Sequence, residues 1–153
     1  MAVNSYQDIT TSSNYEVFEF VSQGGKKINK RVKFTLIDEN EAIYNLALCT
    51  VLENGTEDCE TASRNSDMQK IFETIALIAY TFTNRYPDRK IYFTGSDDLR
   101  IRQYRLTVFS NLETVLQYFD LEGVTIVNKE FDKREAYQKG ETYDGFILTR
   151  KTN

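Results

Sequence analysis

Residues 15–37 read YEVFEFVSQGGKKINKRVKFTLI, and the pairing inside this stretch decides the fold. Tyr15 to Ser22 is aromatic and β-branched, Gly24-Gly25 follows, and Lys26 to Ile37 forms the return strand. Gly-Gly is a two-residue hairpin signal because both residues accept positive φ. Such a turn predicts Tyr15 opposite Phe34, Val17 opposite Val32, Glu19 opposite Lys30 and Val21 opposite Ile28, all on one face. The other face then carries Glu16 with Lys33, Phe18 with Arg31 and Phe20 with Asn29. A slip of one residue would move every side chain to the opposite face. On this reading Phe18, Phe20, Lys27, Arg31 and Lys33 share a face. Aromatic rings beside cations are the composition of a single-strand stacking platform. The same two rings also call for a cover, from another element or from a second copy of the chain, because burying each is worth roughly 1.5–3 kcal/mol.

Beyond the hairpin, Ala42 to Leu52 alternates as a third strand and Asn54-Gly55 marks a turn. A two-residue Asn54-Gly55 loop leaves Cys59 opposite Thr50. A three-residue Glu53-Asn54-Gly55 loop, with Gly55 left-handed, sets Cys49 opposite Cys59. A reducing cytoplasm would keep both as thiols in either case. Ser66 to Tyr86 is the clearest helix: Ser66-Asp67-Met68-Gln69 fits a capping box. Met68, Ile71, Phe72, Ile75, Ile78, Ala79, Phe82 and Tyr86 then recur at helical spacing, and Pro87 ends the run. Arg89 to Thr94 reads as a short strand and Asp97 to Phe109 as a helix. Ser110-Asn111-Leu112-Glu113 opens another helix, with Leu112, Val115, Leu116 and Phe119 inward and an end near Gly123. Val124 to Asn128 and Tyr143 to Arg150 are the last strands, and Lys129 to Thr142 is a surface loop or frayed hairpin. The expected fold is α+β: a largely antiparallel sheet of five to seven strands with one long helix and two shorter helices packed on it. Residues 1–13 read as a flexible N-terminal tail and 14–153 as a single α+β domain.

The chain has 153 residues, enough for one domain, with 41% hydrophobic and 27% charged residues. It contains no histidine, which excludes Ser-His-Asp and Cys-His catalysis and every imidazole metal site. Its two cysteines cannot build a Cys₄ zinc site. The residues call for no metal and no cofactor. No basic leader and no apolar run of about 18 residues occurs, so a cytoplasmic protein with no membrane contact is expected. A net charge of −4 argues against general nucleic-acid binding, although Lys26, Lys27, Lys30, Arg31 and Lys33 form a basic run.

The strand–turn–helix Tyr92 to Arg105 is the other candidate site. Gly95 allows a tight turn, Ser96 can cap the helix, and free backbone N–H groups there can hold an anion. Arg100, Arg102 and Arg105 supply forked donors for phosphate or carboxylate, and Tyr104 lies among them. A capped surface helix with ordinary ion pairs accounts for the same residues. Ile91, Tyr92, Phe93, Gly95 and Ser96, then Arg100, Arg102, Tyr104 and Arg105, then Ser110, Asn111, Leu112 and Glu113 resemble a small bacterial family carried as a domain of unknown function. The resemblance implies a stand-alone cytoplasmic bacterial protein and assigns no activity.

Three functions are therefore carried forward. The first is a non-catalytic binding or interaction module, which includes a homodimer. The second is a nucleic-acid binder using the aromatic–basic face and the arginine helix. The third is a histidine-free enzyme acting on a phosphorylated or carboxylated small molecule.

Overall fold

The computed structural model describes residues 5–59, 65–94 and 112–152. Its strands are β1 (Thr10–Thr11), β2 (Val17–Gln23), β3 (Lys27–Asp38), β4 (Ile43–Val51), β5 (Glu57–Asp58), β6 (Lys90–Phe93), β7 (Phe119–Val127), β8 (Glu130–Ala136) and β9 (Gly145–Arg150). The described helices are α1 (Met68–Arg85) and α2 (Leu112–Tyr118). The class is α+β as expected, but the sheet has nine strands, in the order β1-β2-β3-β4-β6-β9-β7-β8 with β5 added beside β4. All neighbours pair antiparallel except β4 and β6. Those two are joined through α1, the long crossover that a parallel pair requires. The helix expected over Asp97 to Phe109 lies outside the described residues.

The β2–β3 hairpin is not the two-residue turn expected from Gly24-Gly25. Gln23 pairs with Lys27, leaving a three-residue loop, and every partner moves by one: Val17 faces Lys33, Phe18 faces Val32 and Phe20 faces Lys30. The cause is a tertiary clamp. Gly25 N–H donates to the Asn65 carbonyl at 2.9 Å. Lys26 N–H donates to Asn65 Oδ1 at 2.8 Å, and Asn65 Nδ2 donates back to the Lys26 carbonyl at 2.7 Å. Neither glycine has positive φ. Gly24 is needed for closeness instead, since a Cβ there would lie 1.5 Å from the Asn65 carbonyl oxygen.

The shifted register turns Phe18 and Phe20 inward. They are 1% and 3% exposed, inside one core with Val32, Phe34, Leu46, Leu48 and the α1 stripe Ile71, Phe72, Ile75, Ile78, Ala79 and Phe82. The Phe34 and Phe82 rings stack at 3.8 Å. The rings are thus covered within the chain, by α1 and by Tyr6, which stacks on Phe20 at 5.7 Å. Tyr6 and Ser5 are buried, and Thr10–Thr11 pairs with β2, so the segment expected as a loose tail is docked from Ser5 to Thr11.

The α1 stripe matches its sequence pattern, but the capping box does not form. Ser66 has φ +65°, and the N-cap is Asp67 with no side-chain bond to the helix. Its carboxylate is engaged by Tyr6 and Ser22. At the other end Arg150 donates to the Tyr80 carbonyl at 3.1 Å and Thr83 Oγ1 at 3.0 Å, a cation at the helix C-terminus where the dipole favours it.

The third helix run also differs from expectation. α2 stops at Tyr118, and Phe119 opens a strand that runs through Gly123. Leu116, expected inward, is 39% exposed. Lys129 to Thr142 resolves toward its hairpin alternative: Val127 pairs with Glu130 across Asn128 and Lys129. Both turn residues have positive φ, the type I′ geometry that matches strand twist.

A second, smaller core of Ile43, Tyr92, Val124 and Ile147 forms on the opposite face of the sheet, with Ile126 and Phe131 packed against it. β8 lies four strand intervals from β4, about 19 Å in a flat sheet at about 4.8 Å per strand. Arg134 on β8 nevertheless bonds Glu41, just before β4, while also holding Glu122. The sheet is therefore curled around this core.

Gly24→Ala is expected to lower unfolding stability by about 1–3 kcal/mol through overpacking against Asn65. Gly25→Ala, whose Cβ would meet Asn65 Oδ1 at an ordinary 3.7 Å, should cost clearly less. Urea unfolding of the two variants beside the parent chain checks both.

Candidate functional site

The two candidate sites fare differently. Gly95, Ser96, Arg100, Arg102, Tyr104 and Arg105 all lie outside the described residues. The strand leading to them is β6, whose Ile91, Tyr92 and Phe93 are all buried. Just after it the Thr94 hydroxyl donates to the Asp144 carbonyl.

The aromatic–basic face does not exist as one surface. Phe18 and Phe20 point into the core, while Lys27, Arg31 and Lys33 are on the outer face. The rings cannot stack on bases, and the platform reading falls with the register that produced it. What remains is an outer face over β2–β4 where Val17, Glu19, Val21, Asn29, Arg31 and Lys33 are half-buried or exposed. Among the described residues no apolar cluster forms over them.

Charge organises this face. The β4–β5 hairpin closes with the three-residue loop: Val51 pairs with Glu57, and Gly55 has φ +86°. That register brings Glu57 to the outer face beside β3. One Glu57 oxygen accepts from Arg31 at 2.8 Å and the other from Lys33 at 2.7 Å. Arg31 also reaches Glu19 at 3.3 Å. The Lys33 ammonium, then the Arg31 guanidinium, hold the Glu57 carboxyl below its ordinary pKa. The Arg31 guanidinium is raised in turn, chiefly by its bond to Glu57. Arg31 Nε, although buried, has no acceptor among the described residues. Two cations on alternate residues of one strand thus converge on one carboxylate.

Beside Glu57, Cys49 and Cys59 form a disulfide. The thiol expectation is corrected here: the three-residue loop places the two residues directly opposite, within bonding reach. Cys49 is fully buried and Cys59 half-buried.

A second polar constellation escaped the sequence reading. Ser5, Ser22, Lys30, Asn65 and Thr74 are all buried, and Ser22, Asn65 and Thr74 join one hydrogen-bonded network with Tyr6 and Asp67 at the start of α1. Ser22 donates to Asp67 and accepts from Asn65 Nδ2 at 2.9 Å. Tyr6 donates to Asp67, accepts from the Gln23 N–H at 2.8 Å, and its own N–H donates to Thr74 Oγ1 at 2.8 Å. Burial, then the Asp67 carboxylate, push the Tyr6 phenol above its ordinary pKa, so it stays a donor. Lys30 is 2% exposed, and its ammonium donates to Thr50 Oγ1 at 2.7 Å. Side chains of catalytic type are present, but the Ser22 and Tyr6 hydroxyls are committed to the fold as both donor and acceptor. The network fixes the hairpin tip and the N-terminal segment onto α1. Lys30 stood in the sequence as one member of a basic run opposite Glu19, and the observed register pairs it with Phe20 instead. Asn65 is one more polar residue in a turn by composition, and nothing local marks it as a clamp.

Among the described residues no three of Cys, Asp or Glu gather as a metal site, and no helix is long and apolar enough to cross a membrane. Residues 2–151 match the model of a family of unknown function, DUF6934, and the chain belongs to that family. No curated protein and no solved structure matches it.

Glu57 contributes pH-dependent stability. Its folded pKa lies below the unfolded value near 4.5, so its stabilisation is complete above that value. It is lost as pH falls from there through the lower folded pKa. Thermal unfolding followed from about pH 6 down to about pH 3 should show a smaller decline in Glu57→Gln than in the parent. An identical decline would show that the ion pairs contribute nothing to folding.

Proposed function

We propose that this DUF6934 member is a non-catalytic interaction module that docks an acidic polypeptide segment on the outer face of β2–β4. The observation that carries this reading is the convergence of Arg31 and Lys33 on the single carboxylate of Glu57, at 2.8 and 2.7 Å. The protein's own glutamate, held there by two cations, supports a carboxylate as the group this face would take. Lys27 lies on the same face of β3 and is exposed, so three cations share one face of the strand, with Asn29 between Lys27 and Arg31. An extended acidic segment repeats its side chains at the same period. Recognition of this kind is by charge and forked hydrogen bonds and needs no reacting group.

Charge alone serves nucleic acid less well. Without the two phenyl rings the face has no stacking surface for bases. The histidine-free enzyme has no support in the buried Ser22–Asp67–Tyr6 network, whose hydroxyls are already engaged.

Anisotropy of a fluorescent oligoglutamate peptide tests the reading on the full chain. Binding should weaken as salt rises and disappear in Lys27→Glu/Arg31→Glu/Lys33→Glu with the circular dichroism unchanged. A single-stranded oligonucleotide should bind less tightly than the peptide. Peptide binding that survives the triple reversal would remove this face from the functional account.

A further inference from the structure

We propose that Asn54 is a deamidation site which the folded β4–β5 hairpin keeps closed, with Thr56 as the residue that holds its side-chain amide out of reach.

Asn54-Gly55 is the one Asn-Gly pair in the sequence. Glycine obstructs attack on a preceding asparagine side chain least of all residues, because it has no Cβ. Leu52 to Thr56 are all exposed, so water and hydroxide reach the pair. Composition and exposure together mark a site of spontaneous chemistry.

The step is an intramolecular acyl transfer. The Gly55 amide nitrogen gives up its proton to hydroxide and attacks Asn54 Cγ. The bond from Cγ to Nδ2 breaks, and Nδ2 takes a proton from water and leaves as ammonia. The succinimide so formed then adds one water. Opening at the side-chain carbonyl gives aspartate. Opening at the main-chain carbonyl gives isoaspartate, whose main chain runs through Cβ. The sum is one water consumed and one ammonia released, with nothing oxidised or reduced.

The folded turn blocks this step at both reacting groups. The Gly55 N–H donates to the Leu52 carbonyl at 2.9 Å, so the proton that must leave is bonded where it is. Asn54 does not have positive φ and Gly55 has φ +86°, which makes this a type I turn followed by a left-handed glycine. Such a turn holds ψ of its third residue, Asn54, at about 0°. The Gly55 nitrogen then eclipses the nitrogen of Asn54 and lies away from its Cβ, and the succinimide ring cannot close without rotation about the Cα–C bond. Asn54 Oδ1 meanwhile accepts from the Thr56 N–H at 3.0 Å and from the Thr56 hydroxyl at 2.6 Å. Attack therefore waits for the turn to open, and its rate follows the open fraction.

The two products differ in what they do to the hairpin. Aspartate keeps an oxygen for both Thr56 donors and fits the same turn. Isoaspartate adds one main-chain atom to the loop. The length of that loop sets Val51 opposite Glu57 and Cys49 opposite Cys59, so the isoaspartyl product disturbs the register of both pairs.

The test incubates the full chain at mildly alkaline pH, folded or in guanidinium chloride, and follows ammonia release and isoaspartate at residue 54 by peptide mapping. The folded chain is expected to react at least about tenfold more slowly than the denatured one. Thr56→Val should speed the folded chain about fivefold, the weight of one ordinary hydrogen bond, and leave the denatured rate unchanged. Thr56→Ser, which keeps the hydroxyl, should match the parent. Asn54→Gln, whose longer side chain disfavours the ring, should lose the signal in both states. Equal folded and denatured rates in the parent would overturn the closed state. No isoaspartate at residue 54 in the denatured chain would overturn the site itself. A Thr56→Val rate equal to the parent's, or a Thr56→Ser rate as fast as that of Thr56→Val, would overturn the role of the Thr56 hydroxyl.

Discussion

Three hydrogen bonds and one close approach between Asn65 and the Gly24-Gly25-Lys26 loop set the register of the first hairpin. Side chains alternate along a strand, so this one contact decides which residues of β2 accompany which of β3. It sends Phe18, Phe20, Val32 and Phe34 to α1 and leaves Glu19, Arg31 and Lys33 on the other side. A two-residue turn would have paired the rings with the cations. The clamp also joins the hairpin to the start of α1, because Asn65 lies just upstream of Asp67 and Met68. Sheet register and helix position are therefore one constraint.

The cost of that arrangement is a polar end to the core. Asn65 brings Ser22 with it, Ser22 and Tyr6 share Asp67, and Lys30 is drawn under the sheet beside Thr50. Burying a lysine is tolerable only where its ammonium is bonded, and Thr50 on the neighbouring strand supplies an acceptor. One Asp67 oxygen nonetheless has no partner among the described residues. A network of this kind adds less stability than an apolar one of equal volume, but it admits few alternatives. The slipped register would place Ser22 and Lys30 on opposite faces and dissolve it.

Legibility in the sequence followed the range of the interaction. The α1 stripe was readable because its period is local and its burial on a sheet was the only use for eight apolar residues so spaced. The alternation Tyr44, Leu46, Leu48 against Asn45, Ala47, Cys49 was readable for the same reason. The hairpin loop was not: Gly24-Gly25 fits a two-residue turn by composition, and the residue that overrules it is 40 positions away in the chain, as Asn65 against Gly25 shows. The Ser66 capping box failed because the helix starts one residue later than the box requires, with Asp67 at the N-cap and Ser66 at φ +65°. β8 was half-read because its type I′ turn uses Asn128-Lys129 without a glycine. The cysteine pair depended on one residue of loop length, and both lengths fit the sequence. Of the candidate site, Lys27, Arg31 and Lys33 were read together as sharing one face, but their partner Glu57 was not singled out, because the β4–β5 register that brings it there depends on the loop length. The arginine segment from Gly95 to Arg105 lies outside the described residues, so its reading stands as an expectation.

The curl of the sheet explains why the proposed docking surface falls on the first half of the outer face. Over β6, β7 and β9 that face closes on Tyr92, Val124 and Ile147, and Arg134 seals it by bonding both Glu41 and Glu122. Burial, with the nearby Asp144 carboxylate, raises the Tyr92 phenol there. Over β2–β4 the side chains are charged or small, so no comparable apolar gain can draw a strand across. The acids and bases there are only partly withdrawn from water: Arg31 is 26% exposed and Glu57 23%. Pairs of that kind contribute little to folding, because solvent screens them and the side chains lose entropy in holding them. The same property makes them exchangeable. An incoming carboxylate replaces one modest ion pair with another, and the balance is then set by how many carboxylates arrive together and by what holds Glu57 in place.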